Sequence, residues 1–179
     1  MIDINKYPSI IDEVYKDNDK AKDVLLRHSF PIAKKSLLIN ENKKLKLDEE
    51  FLFEGSMLHD IGIIKVNAPS IYCYGDKPYA MHGVVGAELL KGTKYEKYMG
   101  VCRNHCGVGL RKDEVISLNI GNEEMIPTNL YEKLIAYADN FYSKSYLDEE
   151  MPVEKIIENL RRFGEDKVEI FLKWQKEFE

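Results

Sequence analysis

The sequence predicts an all-α protein, and three observations support that class. Apolar residues recur at helical spacing through most of the 179 residues. Helix-capping and helix-ending residues divide these stretches, such as Asp48 before one and Gly164 between the last two. Strand-like alternation is scarce, because only residues 115–120 suggest a strand. The expected fold is therefore a single-domain bundle of helices.

The predicted helices follow one another with few long interruptions. They cover residues 6–17, 20–40, 48–60, 82–91, 94–106, 129–146, 152–162 and 165–178. Pro31 lacks the N–H that would bond the carbonyl of Arg27, so the second helix should kink or restart there. Asp48 is the expected N-cap of the third helix, and Gly62 is suited to its termination. Apolar residues surround much of this third helix, which predicts that it is buried.

Two irregular stretches separate these helices. Residues 63–81 contain Pro69, Gly75 and Pro78 and are expected to form a long loop, and residues 107–128 form the second. Long loops inside a compact domain are often functional. The loop at 63–81 is therefore the more interesting segment for function.

Composition narrows the function classes. The net charge of −5 argues against duplex nucleic acid as the main partner, because binding it needs a basic face. No apolar stretch approaches the roughly 18 residues of a membrane-spanning helix, and residues 1–6 do not resemble a secretory signal. We expect a cytoplasmic protein without a membrane partner. Cys73, Cys102 and Cys106 are expected to be small buried hydrophobes, although a redox or auxiliary metal role for the last two is an alternative.

All four histidines and two aspartates form one ordered pattern. Intervals of 22 to 34 residues separate its successive members, apart from one adjacent pair. The members are His28, His59, Asp60, His82, His105 and Asp139. Such intervals suit one inward-pointing group on each of several successive helices. Imidazole and carboxylate groups are ligands of first-row divalent metals, so six of them could hold two ions.

Helical faces favour a shared site over six unrelated core residues. His82 shares a face with Val85, and Asp139 lies beside Ile135 on an apolar helix. A single histidine on such a face is usually a satisfied core residue. An ionised carboxylate is much more costly to bury without a partner or a metal. Asp60 and Asp139 together therefore make a purely structural interpretation poor.

Two strings resemble a known family. Residues 58–62, Leu-His-Asp-Ile-Gly, resemble the HDIG signature of the HD superfamily of metal-dependent phosphohydrolases. Residues 81–87, Met-His-Gly-Val-Val-Gly-Ala, are similar to the HGxxGA stretch of two-metal bacterial HD hydrolases of dinucleoside tetraphosphates. The pair 104–105 and the triplet 137–139, Tyr-Ala-Asp, are similar as well.

The resemblance covers about residues 21–146 and carries an implied architecture. It implies that residues 1–179 form one helical bundle of the HD-domain type. Residues 21–146 would then be its core, and residues 150–179 a C-terminal helical extension.

The resemblance also implies a two-metal centre. One ion would be held by His28, His59, Asp60 and Asp139, and the second by Asp60, His82 and His105. Two divalent ions are the expected cofactors, with Fe or Mn favoured over Co, Ni or Zn. A metal-bridging hydroxide would attack phosphorus in line. Asp60 is the expected bridging ligand, and Lys65 the expected catalytic lysine, two residues after the position where some relatives carry one.

The expected substrate is a small, nucleotide-like phosphoester or phosphoanhydride. Lys65, Lys77, Arg103 and Arg111 are candidate phosphate contacts, each with a solvated surface charge as the alternative. Three tyrosines of the long loop could stack on a base or close over the site, or could simply pack the loop against the body. They are Tyr72, Tyr74 and Tyr79.

Other functions fit the same ligand set. A one-metal phosphohydrolase would use His82 and His105 to bind phosphate or to protonate a leaving group. A di-iron HD-domain oxygenase would carry the same ordered residues, and a metal-bearing regulatory module is a third alternative. A homodimer is also open. The sequence therefore predicts an HD phosphohydrolase with an oxygenase as its rival.

Overall fold

Helices dominate the computed structural model, which describes residues 6–147 and 149–179. The α-helices are α1 (Ile10–Val14), α2 (Asp19–Asn42), α3 (Glu49–Leu58), α4 (His82–Leu90), α5 (Met99–Asn104), α6 (Lys112–Ser117), α7 (Leu130–Asp139), α8 (Val153–Arg161) and α9 (Glu165–Phe178). Short 3₁₀ turns at Ile61–Lys65, Pro69–Ile71, Tyr79–Met81 and Glu96–Tyr98 connect several of them. The first five residues, where part of the signal-peptide argument rests, lie outside the described part.

The all-α prediction is wrong, because the predicted loop at 63–81 contains a small antiparallel sheet. Strand β1 (Asn67–Ala68) pairs with β2 (Cys73–Tyr74). Pro69 opens the intervening 3₁₀ turn, and Tyr72 closes it in the left-handed conformation with φ of 59°. Strands of two residues are too short to show alternation, so the sequence pattern could not reveal this hairpin.

Helix α2 is the longest element, and it does not restart at Pro31. It runs without interruption from Asp19 to Asn42 and buries Leu25, His28 and Ile32 on its inner side. Proline removes one backbone hydrogen bond, which the packing of a long buried helix can outweigh. His28 is therefore held on a continuous helix in the middle of the bundle.

Helix α3 packs along α2 and ends just before the His59–Asp60 pair. The Asp48 side chain accepts a hydrogen bond of 2.7 Å from the Phe51 N–H, which confirms the predicted N-cap. The predicted role of Gly62 is wrong, since the α-helix has already ended at Leu58. A Cβ at Gly62 would lie 2.1 Å from the carbonyl oxygen of His82. Glycine is needed here because α4 approaches the chain directly.

The C-terminal helices pack on the outer side of α7. Tyr137 of α7 is fully buried and stacks on Phe171 of α9, with ring centroids 5.4 Å apart. The suggested strand at 115–120 is wrong, because Val115 is a buried residue of the short helix α6. In the described part of the chain, no helix is both long and apolar enough to cross a membrane.

Candidate functional site

The six residues of the predicted pattern meet in the interior, and we call them the His/Asp cluster. His28 comes from the middle of α2, and the adjacent pair His59–Asp60 follows α3 directly. His82 is the first residue of α4. His105 caps the end of α5, and Asp139 is the last residue of α7. Helix ends thus deliver most of the cluster, and the four imidazoles and Asp60 are all buried.

One carboxylate oxygen of Asp60 faces half of the cluster. Its Oδ2 lies 3.1 Å from the Nε2 atoms of both His28 and His59. Asp139 closes the same side, with its Oδ1 at 3.1 Å from Nε2 of His28 and 3.5 Å from that of His59. The Lys144 ammonium completes this side at 2.5 Å from Oδ2 of Asp60.

The other carboxylate oxygen of Asp60 faces the remaining imidazoles. Its Oδ1 lies 3.4 Å from the Nε2 atoms of His82 and His105. These two nitrogen atoms are only 3.1 Å apart. The Cys106 sulfur lies 3.6 Å from Nε2 of His82, so the thiol borders the cluster. Asp60 thus faces both halves of the cluster.

Backbone carbonyl groups orient three of the four imidazoles. The Nδ1 atoms of His59, His82 and His105 lie 2.6, 2.7 and 2.8 Å from the carbonyl oxygens of Ser56, Tyr79 and Cys102. A carbonyl oxygen can only accept, so each Nδ1 carries the proton. In the neutral ring, Nε2 then presents a lone pair toward Asp60. This is the arrangement in which protein histidines usually bind metal ions.

Unsatisfied polar atoms show that the cluster suits a cation. Neither buried oxygen of Asp60 accepts a hydrogen bond of good geometry, although the Lys144 ammonium lies 2.5 Å from Oδ2, and His28 Nδ1 lacks a partner. Four ligand atoms of His28, His59, Asp60 and Asp139 lie within 4.8 Å of one another. Lone pairs and carboxylates at this spacing repel each other unless positive charge lies between them. The donor set therefore fits a divalent cation.

The pKa values of His59 and His82 are shifted in opposite directions. Burial opposes the charged form of His59, but attraction to Asp60 and Asp139 outweighs it and raises the pKa to about 10. Burial lowers the pKa of His82 to about 4, because the opposing attraction of Asp60 is weaker there. Burial also acts to raise the pKa of Asp60, yet Lys144 and His59 hold that pKa well below its usual range. The pKa shifts thus favour a charged His59 on the Oδ2 side and a neutral His82 on the Oδ1 side.

Lys144 is the site residue that the sequence pattern missed. It lies five residues beyond Asp139, outside any described helix, and its side chain is only 13% exposed. Lys65, the expected catalytic lysine, is instead exposed on the 3₁₀ turn after Asp60. The proximity of Lys144 to Asp139 in the sequence was the available signal. Residues in a turn show no periodicity, however, so the sequence does not predict where the Lys144 side chain points.

The three loop tyrosines lie on or directly after the β1–β2 hairpin. Tyr74 is 70% exposed and Tyr72 is 42% exposed. Tyr79 is 43% exposed, and its ring centroid lies 4.8 Å from that of His82. The hairpin also carries Lys77, whose ammonium is 3.7 Å from Asp76. This tyrosine hairpin, residues 66–79, therefore reaches from solvent to the edge of the His/Asp cluster.

The two predicted arginine contacts lie in other surroundings. Arg103 donates a hydrogen bond of 3.3 Å to Glu123. Arg111 pairs with Asp166 of α9 and with Asp113 and Glu114 of α6. Carboxylates already satisfy both guanidinium groups, and neither group has a described contact with the cluster.

Comparison with known proteins gives relatives that are mostly longer. A tRNA (cytidine(56)-2'-O)-methyltransferase of Thermoplasma volcanium is 27% identical over 93% of this chain and 44% of its own length. That of Picrophilus torridus is 26% identical over 70% of this chain and 33% of its own. An uncharacterised protein of Methanocaldococcus jannaschii is 35% identical over 56% of this chain and 53% of its own. No family model and no solved structure matches the chain.

These relatives contradict the predicted family and activity. Two of them are named as methyltransferases, not as HD phosphohydrolases or di-iron oxygenases. The predicted hydrolase activity and the HD-domain type of bundle are therefore corrected. Short histidine, aspartate and glycine motifs at buried helix ends also occur for packing reasons, as the close approach at Gly62 shows. They were therefore too weak to identify a family of phosphohydrolases. The chain spans roughly half or less of the length of these relatives.

The predicted cofactors and partners are contradicted by the same names. Methyl transfer needs a methyl donor rather than a dinuclear Fe or Mn centre. Two of the relatives are named for acting on tRNA, which conflicts with a small phosphorylated substrate and with the expectation that duplex nucleic acid is not a partner. The net charge of −5 does not decide whether nucleic acid is a partner, because a total does not describe the local distribution of charge.

Proposed function

We propose that this chain takes part in ribose 2'-O-methylation of tRNA, as the counterpart of one segment of the larger methyltransferase relatives. The similarity over 93% of the chain to one such protein carries the proposal. Only about 7% of 179 residues, roughly 13, fall outside that alignment. His28 has 27 residues before it and Asp139 has 40 after it, so the alignment extends past both. The aligned region thus includes the His/Asp cluster.

The tyrosine hairpin is the proposed RNA contact. Bases of any sequence stack on exposed aromatic rings, and nearby cations neutralise phosphate. Tyr72 and Tyr74 offer such rings. The ammonium of Lys20 lies 5.4 Å from the centroid of the Tyr72 ring. The backbone N–H of Lys77 donates a hydrogen bond of 3.2 Å to the carbonyl oxygen of Lys65, so these two lysines are neighbours. Three lysines therefore accompany the hairpin despite the negative total charge.

The four-residue group His28, His59, Asp60 and Asp139 is proposed to hold one divalent cation. The short approach of the buried Asp60 carboxylate and of the Asp139 carboxylate to the His28 imidazole and the carbonyl group that orients His59 support this assignment. A bound cation would supply positive charge that can attract an RNA oxygen at the inner end of the hairpin. His82 and His105 face Oδ1 of Asp60 and would fix the orientation of this carboxylate.

The experiment that tests the role in methylation uses the purified chain with tRNA and isotopically labelled S-adenosylmethionine. Gel retardation measures binding of tRNA against a duplex DNA of equal mass. Nuclease digestion and mass spectrometry then locate any labelled methyl group on cytidine ribose. Transfer by the chain alone would assign the reaction to this segment. Binding without transfer would assign it tRNA contact, and the absence of both would contradict the proposal.

Two earlier predictions remain predictions within this proposal. A cytoplasmic location agrees with the proposed action of the chain on tRNA. The division into a core at 21–146 and a C-terminal extension at 150–179 is compatible with the packing of α8 and α9 outside α7.

A further inference from the structure

Lys144 places a buried ammonium group inside the His/Asp cluster. Its Nζ lies 2.5 Å from Oδ2 of Asp60, a carboxylate with no exposed surface. The same oxygen faces His28 and His59 at 3.1 Å. Burying a lysine side chain costs both hydration and rotamer freedom, so this position needs strong compensation. The negative charge of the two aspartates supplies it.

The segment that carries Lys144 has few described contacts before Leu147, which packs against the core. It follows the end of α7 and forms one isolated bridge, between Ser143 and Tyr146. Ser145 and Tyr146 are exposed, the latter by 73%. Nothing in residues 143–147 is fully buried. Within residues 143–146, the inserted lysine side chain is therefore the described contact with the cluster, and Leu147 anchors the end of the segment on the core.

A divalent cation at the four-residue group would compete with this lysine. Both positive charges would seek Oδ2 of Asp60, whose ligand partners lie within 4.8 Å of one another. Like charges a few ångströms apart repel strongly in a buried site. Both cannot keep short contacts with the same oxygen.

We propose that Lys144 is a tethered cation that neutralises Asp60 and leaves it when a divalent cation binds, releasing residues 143–147 from the cluster. The inference rests on the proposed cation site and not on the tRNA proposal. Occupancy of the buried group would thereby control the position of a surface segment.

Lysine acylation of the full chain tests the inference directly. Equilibrium dialysis with Co²⁺ first measures binding, and the Co²⁺ absorption spectrum reports ligation by the cluster. Acylation by an N-hydroxysuccinimide ester at fixed pH is then followed at each lysine by mass spectrometry, with and without Co²⁺. We expect Lys144 to react several-fold faster when Co²⁺ is bound. Lys155, a partly exposed residue of α8, should react equally in both states.

Two variants supply an independent measurement. Lys144→Met removes the competing charge, so Co²⁺ should bind about tenfold more tightly than to the wild type. Lys144→Arg retains the charge and should show no such gain. The wild-type labelling experiment keeps the inference testable if either variant is poorly folded.

The possible outcomes distinguish a failure of the Lys144 displacement from a failure of the proposed cation site. Co²⁺ binding with unchanged or slower acylation of Lys144 would overturn the inference and leave the cation site intact. Absence of Co²⁺ binding would overturn both. Faster acylation together with tighter binding to the methionine variant would support the displacement of Lys144.

Discussion

The Nε2 atoms of His82 and His105 face each other at 3.1 Å, while both of their Nδ1 atoms point at carbonyl oxygens. Two neutral rings therefore cannot form a hydrogen bond between these Nε2 atoms, because each nitrogen would present a lone pair and no proton. Asp60 accepts nothing of good geometry from either ring. The cluster is thus arranged around positive charge.

The stability of the metal-free protein should depend on pH in two opposite ways. The pKa of His82 is lowered to about 4, so the unfolded chain binds more protons between pH 4 and 6.5, and stability rises with pH there. The pKa of His59 is raised to about 10, so the folded chain binds more protons between pH 6.5 and 10, and stability falls with pH there. Urea denaturation in EDTA across this range measures both slopes.

His59→Gln is the variant that isolates the alkaline slope. The decrease in stability between pH 6.5 and 10 should become much smaller, while the acidic slope persists. An unchanged alkaline slope would show that His59 is not the group that holds the extra proton.

Neutralising Asp60 should damage both stability and cation binding. Asp60→Asn leaves Lys144 and protonated His59 without their central counter-charge in a buried site, at a cost of about 3 kcal/mol in the free energy of unfolding. The thermal shift caused by Co²⁺ should disappear as well. Asp19→Asn removes an exposed carboxylate from the first turn of α2 and serves as the control, with a change below about 1 kcal/mol. Equal effects of the two variants would contradict a central role for Asp60.

Gly62 should tolerate no side chain. A Cβ there would lie 2.1 Å from the His82 carbonyl oxygen and 2.4 Å from the Gly86 nitrogen, and neither backbone atom can yield cheaply. Gly62→Ala should therefore destabilise the protein by about 3 kcal/mol or more. Gly121→Ala is the matched control, because its nearest neighbours are side-chain ends of Met125 and Val115 at 3.3 Å. Thermal denaturation of both variants gives the comparison, and a stable Gly62→Ala protein would refute the close approach of α4.

Removing the exposed ring of Tyr74 on strand β2 should weaken RNA binding without affecting the fold. Base stacking on an aromatic ring contributes about 1–3 kcal/mol, so Tyr74→Ala should weaken tRNA binding by about fivefold or more. Its melting temperature should match the wild type, because Tyr74 is 70% exposed. Phe163→Ala removes an equally exposed ring between α8 and α9 and should leave binding unchanged. Equal affinities for both variants would exclude the hairpin as the contact.

The sequence predicted the positions of most helices and all six cluster residues, but not the activity. Apolar periodicity located α2, α3, α4 and α9, and the Asp48 cap was visible as a side chain before an apolar run. A carboxylate such as Asp60 inside a helical pattern signalled a buried site, because burying it alone is so costly. The chemistry of the relatives was not visible, since a ligand set constrains a site and not the reaction.

The misses share one physical cause. The hairpin, the position of Gly62 and the insertion of Lys144 depend on contacts between segments that are irregular in themselves. Lys144 reaches Asp60 across 84 residues of sequence, and no local preference encodes that contact. Periodicity reports on regular elements alone, so these features required the folded arrangement.

The distribution of the cluster along the chain also has a kinetic consequence. His28 and Asp139 meet at 3.1 Å although 111 positions separate them in the sequence. Contacts between residues so far apart in the sequence form late, after the helices have docked, because closing long loops is entropically costly. The cluster should therefore have low φ-values, so that Asp60→Asn accelerates unfolding and hardly slows refolding. The His/Asp cluster would then stabilise the chain after folding and would not belong to its folding nucleus.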